Sequence, residues 1–199
     1  MLRREDVVRR MLALRTEEVV VTTQGTVVPW GIISKHPRDF ASHDSAMGHT
    51  ADFALGLALA RPDLRVWVFN GDGSLLMSLG TLVTIAAAAP PNLVHFVFDN
   101  GVYEVTGNQP VPGGGSLDYA GMARAAGTRC VFAFDDPADL AEALPEALRA
   151  EGPVFIALRV ALEEQSAQSR RPDHPVPSLR MTLAEEAHRL RGELGGVRS

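Results

Sequence analysis

The chain has 199 residues, 46% hydrophobic and 22% charged, with nineteen basic against twenty-four acidic side chains for a formal charge of -5. That is too apolar for a disordered chain and allows one generous domain with a real core. The mildly acidic balance excludes the basic footprint of a nucleic-acid binder, and the single cysteine, Cys130, excludes an intramolecular disulfide or a cysteine-rich zinc site.

The opening Met-Leu-Arg-Arg-Glu-Asp has no apolar signal core, and Val7, Met11 and Leu12 predict an amphipathic helix near residues 5–13. Residues 18–23 are rich in valine and threonine and read as a strand, ended by a turn at Gln24-Gly25. Small and apolar residues at three- and four-residue spacing make 48–60 a tightly packed helix, stopped by Pro62-Asp63. A buried-type strand at 65–70 runs into Gly71-Asp72-Gly73, and a helix follows at about 77–89, ended by Pro90-Pro91. The uncharged stretch 73–94 is long enough to cross a bilayer, but its serines, threonines and prolines make it buried loop and helix, so a soluble, cytoplasmic domain without a membrane partner is expected.

A second continuous apolar strand at 93–99 ends at Asn100-Gly101, and residues 102–116 form a long glycine-rich loop of the kind that carries function. A helix at 119–126, a short strand at 130–134, a helix at 137–150 with Asp136 as N-cap, and a last strand at 154–160 complete the pattern. Residues 1–162 thus read as one domain, and 163–199 as a polar linker with a charged helix at 182–194. Continuous apolar strands separated by helices predict an α/β fold, an open parallel sheet covered on both faces.

In such sheets ligands bind beyond the carboxyl ends of the strands. Two strand ends carry suitable groups, Asn70-Gly71-Asp72-Gly73-Ser74 and Asp99-Asn100-Gly101-Val102, separated by the twenty-six residues 74–99. That interval holds about one helix and one strand, which brings consecutive strand ends side by side. The Asp72 carboxylate and the Asn100 amide oxygen are hard ligands suited to Mg²⁺, and the glycines with the following helix N-terminus suit a phosphate. Either cluster alone is also an ordinary turn sequence. Met47 by residue type reads as a core methionine, and His43, Asp44 and His49 form a loop cluster that could meet substrate or simply lie in water. Tyr103, Glu104, Thr106 and Gln109 could form a lid, Arg170-Arg171 reads as a solvated pair, and Cys130 as an inert core residue.

GDGS, twenty-six residues, then asparagine resembles the cofactor motif of the thiamine-diphosphate decarboxylase and acetolactate-synthase superfamily. The likeness runs from about residue 18 to 160 and covers the diphosphate-binding (PP) half of such enzymes. It is closer to sulfopyruvate and phosphonopyruvate decarboxylases, through Ser45-Ala46-Met47-Gly48, GDGSLLMSLGTLVTIA (71–86) and DNGVYEVTGNQP (99–110).

The resemblance implies thiamine diphosphate and Mg²⁺ as cofactors, and a six-stranded, mostly parallel sheet with helices on both faces. It implies Asp72, Asn100 and the Val102 carbonyl as Mg²⁺ ligands. Gly71, Gly73 and Ser74 would face the diphosphate with Gln24, Gly25 and Thr26, and Tyr103 would lie beside it. Ser45 would offer its carbonyl to the aminopyrimidine, Met47 would wedge the cofactor into its bent shape, and His43 is the candidate proton mover. The activity implied is decarboxylation of a small 2-oxo acid such as sulfopyruvate or phosphonopyruvate. The pyrimidine-binding (PYR) half has no room here, so a PYR-type α subunit is expected as partner, with homo-oligomerisation and no activity alone. The alternatives are an acetolactate-synthase-like half, a 2-oxoacid oxidoreductase β subunit, disfavoured by the lone cysteine, or a non-catalytic nucleotide-binding regulatory domain. The last lacks both G-x-G-x-x-G and a P-loop motif.

Overall fold

A computed structural model describes residues 1–43, 47–163 and 172–195. Helix α1 (Arg4–Leu14) leads into β1 (Val19–Thr23), α2 (Gln24–Ile33), β2 (Asp39–Ser42), α3 (Thr50–Ala60) and β3 (Val66–Gly71). Then come α4 (Asp72–Met77), α5 (Thr81–Ala88), β4 (Leu93–Asp99) and a small antiparallel pair, β5 (Val102–Tyr103) with β6 (Gln109–Pro110), around a 3-10 turn at Glu104–Thr106. The chain closes with α6 (Tyr119–Ala125), β7 (Cys130–Phe134), α7 (Pro137–Arg149), β8 (Val154–Arg159), a 3-10 turn at Pro177–Arg180, and α8 (Leu183–Glu193).

Six strands form one parallel sheet in the order β2-β1-β3-β4-β8-β7. The central strands β3 and β4 are buried nearly throughout, which is why their sequences run apolar without alternation. Alternate residues serve opposite faces. Val20, Trp67, Phe69, Phe96, Ile156 and Leu158 pack under α1, α2 and α7, where Trp30, Phe69, Phe96 and Phe98 make edge-to-face contacts with Phe69 at their centre. On the other face Val21, Val66 and Val68 meet α3, with Ile85 and Leu190, while Val97 and Phe155 meet α4 and α6. Asp136 caps α7 as its sequence predicts, accepting from the N–H groups of Ala138 and Asp139.

Four features differ from the sequence reading. Gln24-Gly25 is the first turn of α2, not a bend between strands. The helix expected at 77–89 is two, α4 beginning at Asp72 and α5 at Thr81, because Ser78 closes α4 on Leu75 and Gly80 has low helix propensity. The loop at 102–116 is folded, and the Val111 N–H donates to the Gly101 carbonyl to close the β5–β6 pair. The expected linker is partly core: Val176 and Leu179 are buried with Val27, Val28 and Ala41. Helix α8 covers the outer edge of β2. There Arg189 donates to the carbonyls of Pro37 and Asp39, and the Ala41 N–H donates to the Glu186 carboxylate. Arg170 and Arg171 lie outside the described residues. Cys130 is half-buried at the start of β7, with its thiol pushed up by burial, as suits an inert residue.

A loose tail and a docked arm differ in stability. Leu179→Ala should cost about 2–4 kcal/mol in denaturant unfolding, as for other buried leucines, against a few tenths for a solvated linker.

Candidate functional site

The parallel register pairs Asn70 with Val97 and Gly71 with Phe98, so β3 and β4 end together. Asp72 leaves the end of β3 and Asn100 the end of β4, and the two loops are joined directly. The Gly101 N–H donates to Asp72 Oδ2 at 2.7 Å, and the Gly73 N–H to Oδ1 at 2.8 Å. Asp72 is 2% exposed, and burial pushes its carboxyl up to about 7, with the nearby Asp99 acting in the same direction. A buried carboxylate so destabilised in its charged form invites a cation.

Asn100 accepts from the Val102 N–H at 3.1 Å through Oδ1 and donates through Nδ2 to Glu104 at 3.0 Å. Because Val111 bonds Gly101, Val102 and Pro110 face each other as a pair without hydrogen bonds, and the Val102 carbonyl points off the hairpin.

These groups line one cleft of about 710 Å³, partly open to solvent. Of the residues singled out by sequence, Gln24, Gly25, Thr26, Met47, Gly71, Asp72, Gly73, Ser74, Asn100, Val102 and Tyr103 all face it, with Glu104 and Thr106. Their states differ. The Ser74 hydroxyl is buried without a hydrogen-bond partner, whereas the Thr26 hydroxyl is engaged by the carbonyls of Thr23 and Phe69. A Cβ on Gly73 would lie 2.5 Å from the Tyr103 ring, so only glycine admits that ring. Met47 is half exposed.

Other expected residues lie elsewhere. His43 is buried at the end of β2 and is not among the cleft-lining residues; Gln109 is exposed and bonded to Thr106. His49 is exposed, paired with Asp52 at 2.7 Å. Asp44, Ser45 and Ala46 lie outside the described residues, so the Ser45 assignment does too.

Sequence reasoning missed Arg4. It enters the cleft wall from α1 and makes a buried, two-pronged ion pair with Glu104 at 2.9 and 2.7 Å. It also missed the brace beneath the Asp72 turn. Asn70 accepts from the Gly71 N–H, which turns its Nδ2 toward Nε2 of the buried His95 at 3.3 Å. Nε2 therefore accepts, and His95 is neutral, its pKa pushed down to about 4 by burial.

The residues present fit a divalent cation and a phosphate group. The oxygens offered at the two strand ends are the Asp72 carboxylate, the Asn100 amide and the Val102 carbonyl, and among the described residues no three His, Cys, Asp or Glu side chains gather to hold a metal by themselves. That set suits Mg²⁺, which keeps positions for phosphate oxygens and water. The unpartnered Ser74 hydroxyl supplies a donor for an anion.

A family model described as "Thiamine pyrophosphate enzyme, C-terminal TPP binding domain" matches residues 25–158. The chain belongs to this family. Sulfopyruvate decarboxylase subunit beta from Methanothermobacter thermautotrophicus is 35% identical over 156 residues, which cover 78% of this chain and 80% of that protein. Phosphonopyruvate decarboxylase from Streptomyces viridochromogenes is 45% identical over 115 residues, 58% of this chain but 28% of that enzyme. The TPP-binding domain here thus matches little more than a quarter of that relative. Benzoylformate decarboxylase from Polynucleobacter necessarius shares the fold, with a TM-score of 0.71 at 21% identity over 83% of this chain and 34% of that one. The match begins at Gly25, so α1 and Arg4 lie outside the span that defines the TPP-binding domain.

His95 gives the site a pH signature. Its folded pKa lies below the ordinary value of 6.5, so the unfolded chain takes up the proton first. Its contribution to stability is present above pH 6.5 and is lost as the pH falls to 4, on the order of 3 kcal/mol. His95→Phe should flatten the fall in unfolding free energy between pH 6.5 and 4; an unchanged slope would show that His95 does not titrate there.

Proposed function

We propose that this chain is the diphosphate- and Mg²⁺-binding subunit of a split thiamine-diphosphate-dependent decarboxylase acting on sulfopyruvate or phosphonopyruvate. The observation that carries the reading is the joined pair of strand ends: Asp72, clamped by the Gly73 and Gly101 N–H groups, beside Asn100 and the outward Val102 carbonyl. Asp72, Asn100 and Val102 would hold the metal, and Ser74, with Gln24, Gly25, Thr26, Gly71 and Gly73, would meet the diphosphate. Met47 would support the thiazolium end, and Tyr103 would lie against the Gly73 turn.

Thiamine diphosphate supplies the electron sink for loss of CO₂. The chain's own part is to bind, orient and exclude water at the cleft. Relatives named as a β subunit, matched over 80% and 96% of their length, support a two-chain enzyme whose PYR-type α subunit completes the site. Met47 and Met77 at the cleft rim, Phe53 and Leu59 on α3, and Val83 on α5 are apolar and exposed, which suits association with that subunit and between copies.

The distal group of the substrate is anionic. Among the described residues lining the cleft the only arginine or lysine is Arg4, and its guanidinium is engaged by Glu104 and the Gly25 carbonyl. The α subunit is therefore the source of the cation that would meet a sulfonate or phosphonate. A second reading is an acetolactate-synthase-like half. A putative acetolactate synthase large subunit from Mycobacterium tuberculosis is 33% identical over 149 residues, 68% of this chain and 27% of that one.

Asp72→Ala should abolish Mg²⁺-dependent binding of thiamine diphosphate in calorimetry; unchanged affinity would refute the metal assignment. Ser74→Ala should act with opposite signs. It removes a buried hydroxyl that has no partner, so the free chain should melt no lower, while affinity for thiamine diphosphate falls about tenfold. Reconstitution with a PYR-type chain encoded nearby should give a kcat/KM for sulfopyruvate or phosphonopyruvate well above that for pyruvate. Preference for pyruvate, with acetolactate as product, would select the second reading.

A further inference from the structure

Asparagine is an ambiguous metal ligand. Its amide can rotate by half a turn and present nitrogen, which cannot coordinate, where oxygen is needed. The orientation must be imposed by neighbours. At Asn100 two contacts impose the same one: the Val102 N–H demands an oxygen, and the Glu104 carboxylate demands the NH₂ group.

The Glu104 carboxylate that takes the NH₂ group is itself buried, and its own orientation must be fixed in turn. Arg4 fixes it. The guanidinium meets both carboxylate oxygens, at 2.9 and 2.7 Å, and Nη1 also donates to the Gly25 carbonyl at 3.0 Å. Both side chains of the pair are at most 7% exposed, so little water screens them.

Helix α1 is fixed in position to do this. Leu2 bridges the end of β8, donating to the Arg159 carbonyl and accepting from the Ala161 N–H, while Val7, Val8 and Met11 are buried in the core. The one α1 arginine that is buried, Arg4, then crosses to two parts of the cleft wall, the first turn of α2 and the turn at Glu104, 21 and 100 residues away in sequence. The neighbouring charge pair on the same helix, Glu5 with Arg9, is exposed and bonds only within the helix surface.

We infer that Arg4 and Glu104 are positioning residues: the buried Arg4–Glu104 ion pair holds the Asn100 amide with Oδ1 facing the metal, and Arg4 ties α1 to the first turn of α2 and to the Glu104 turn. The inference rests on the assignment of Asn100 as a Mg²⁺ ligand. It extends the functional site beyond the family-matched span to a residue of the N-terminal helix. It also gives Glu104 a role distinct from a lid: the carboxylate acts through Asn100.

The test is a calorimetric titration of Mg²⁺ into the full chain at saturating thiamine diphosphate, with thermal unfolding measured alongside. Glu104→Gln keeps the shape but has one oxygen for three donors, so the Asn100 orientation is no longer enforced. Its Mg²⁺ affinity should fall about tenfold while the binding stoichiometry stays that of the wild type. The double variant Arg4→Met, Glu104→Leu removes both charges together, so no lone charge is left buried, and should lose at least as much affinity. Arg9→Ala, at the exposed pair, should leave affinity unchanged.

Wild-type affinity in Glu104→Gln, or a reduced stoichiometry at unchanged Kd, would overturn the positioning role and leave the metal assignment standing. A wild-type chain that takes up no Mg²⁺ would overturn both. If the double variant does not fold, Glu104→Gln alone decides.

Discussion

A carboxylate can be buried only where something answers its charge, and the architecture of this domain is arranged around that requirement at Asp72. The side chain is almost wholly enclosed, with one backbone N–H on each oxygen. One donor comes from its own turn and the other from the end of the neighbouring strand. The second is available only because β3 and β4 are parallel, adjacent and in a register that ends them together. A slip by one residue would move Gly101 away and turn every β4 side chain to the opposite face.

Around this point the two faces of the sheet have different duties. The face under α1, α2 and α7 is a dry aromatic core centred on Phe69 and Phe96. The opposite face carries a polar insertion, Asn70 against His95, directly below the Asp72 turn. His95 is kept neutral and packs edge-on to Phe155, so it behaves as a shaped acceptor inside an apolar layer. Rigidity at the cleft therefore has two sources, this brace from below and the Arg4–Glu104 pair from the side.

Much of this is legible in sequence where the physics is local. The strands at 66–71 and 93–99 declare themselves because both faces are covered, and Asp136 declares a helix start because capping needs only adjacent residues. The expected parallel α/β sheet follows from those runs. Strand β2 is silent because Asp-Phe-Ala-Ser is short and half polar, and part of its cover comes from Val176, Leu179 and α8, which lie far along the chain. The α4 start is masked by glycines that read as a loop. Glu104 cannot be told from a solvated carboxylate, since the partner that makes it structural stands a hundred residues away. The proposed cofactor contacts at Gln24, Gly25, Thr26, Ser45 and Met47 rest on family resemblance alone at the level of sequence, because nothing in their residue types announces a cofactor.

The docking of α8 on β2 has a consequence for how copies of this chain can meet. An outermost strand normally offers a row of free backbone groups, and a second molecule can zip onto it to continue the sheet. Here that row is answered from within. Arg189 and Glu186 take the place of a seventh strand, satisfying the Pro37 and Asp39 carbonyls and the Ala41 N–H with side-chain atoms. The sheet is terminated on that side by mimicry of a neighbour it does not have. Only the β7 end, which pairs with β8 alone among the described residues, retains an unclosed border. Growth by strand addition thus has one direction at most, and larger assemblies are steered toward contact through helices.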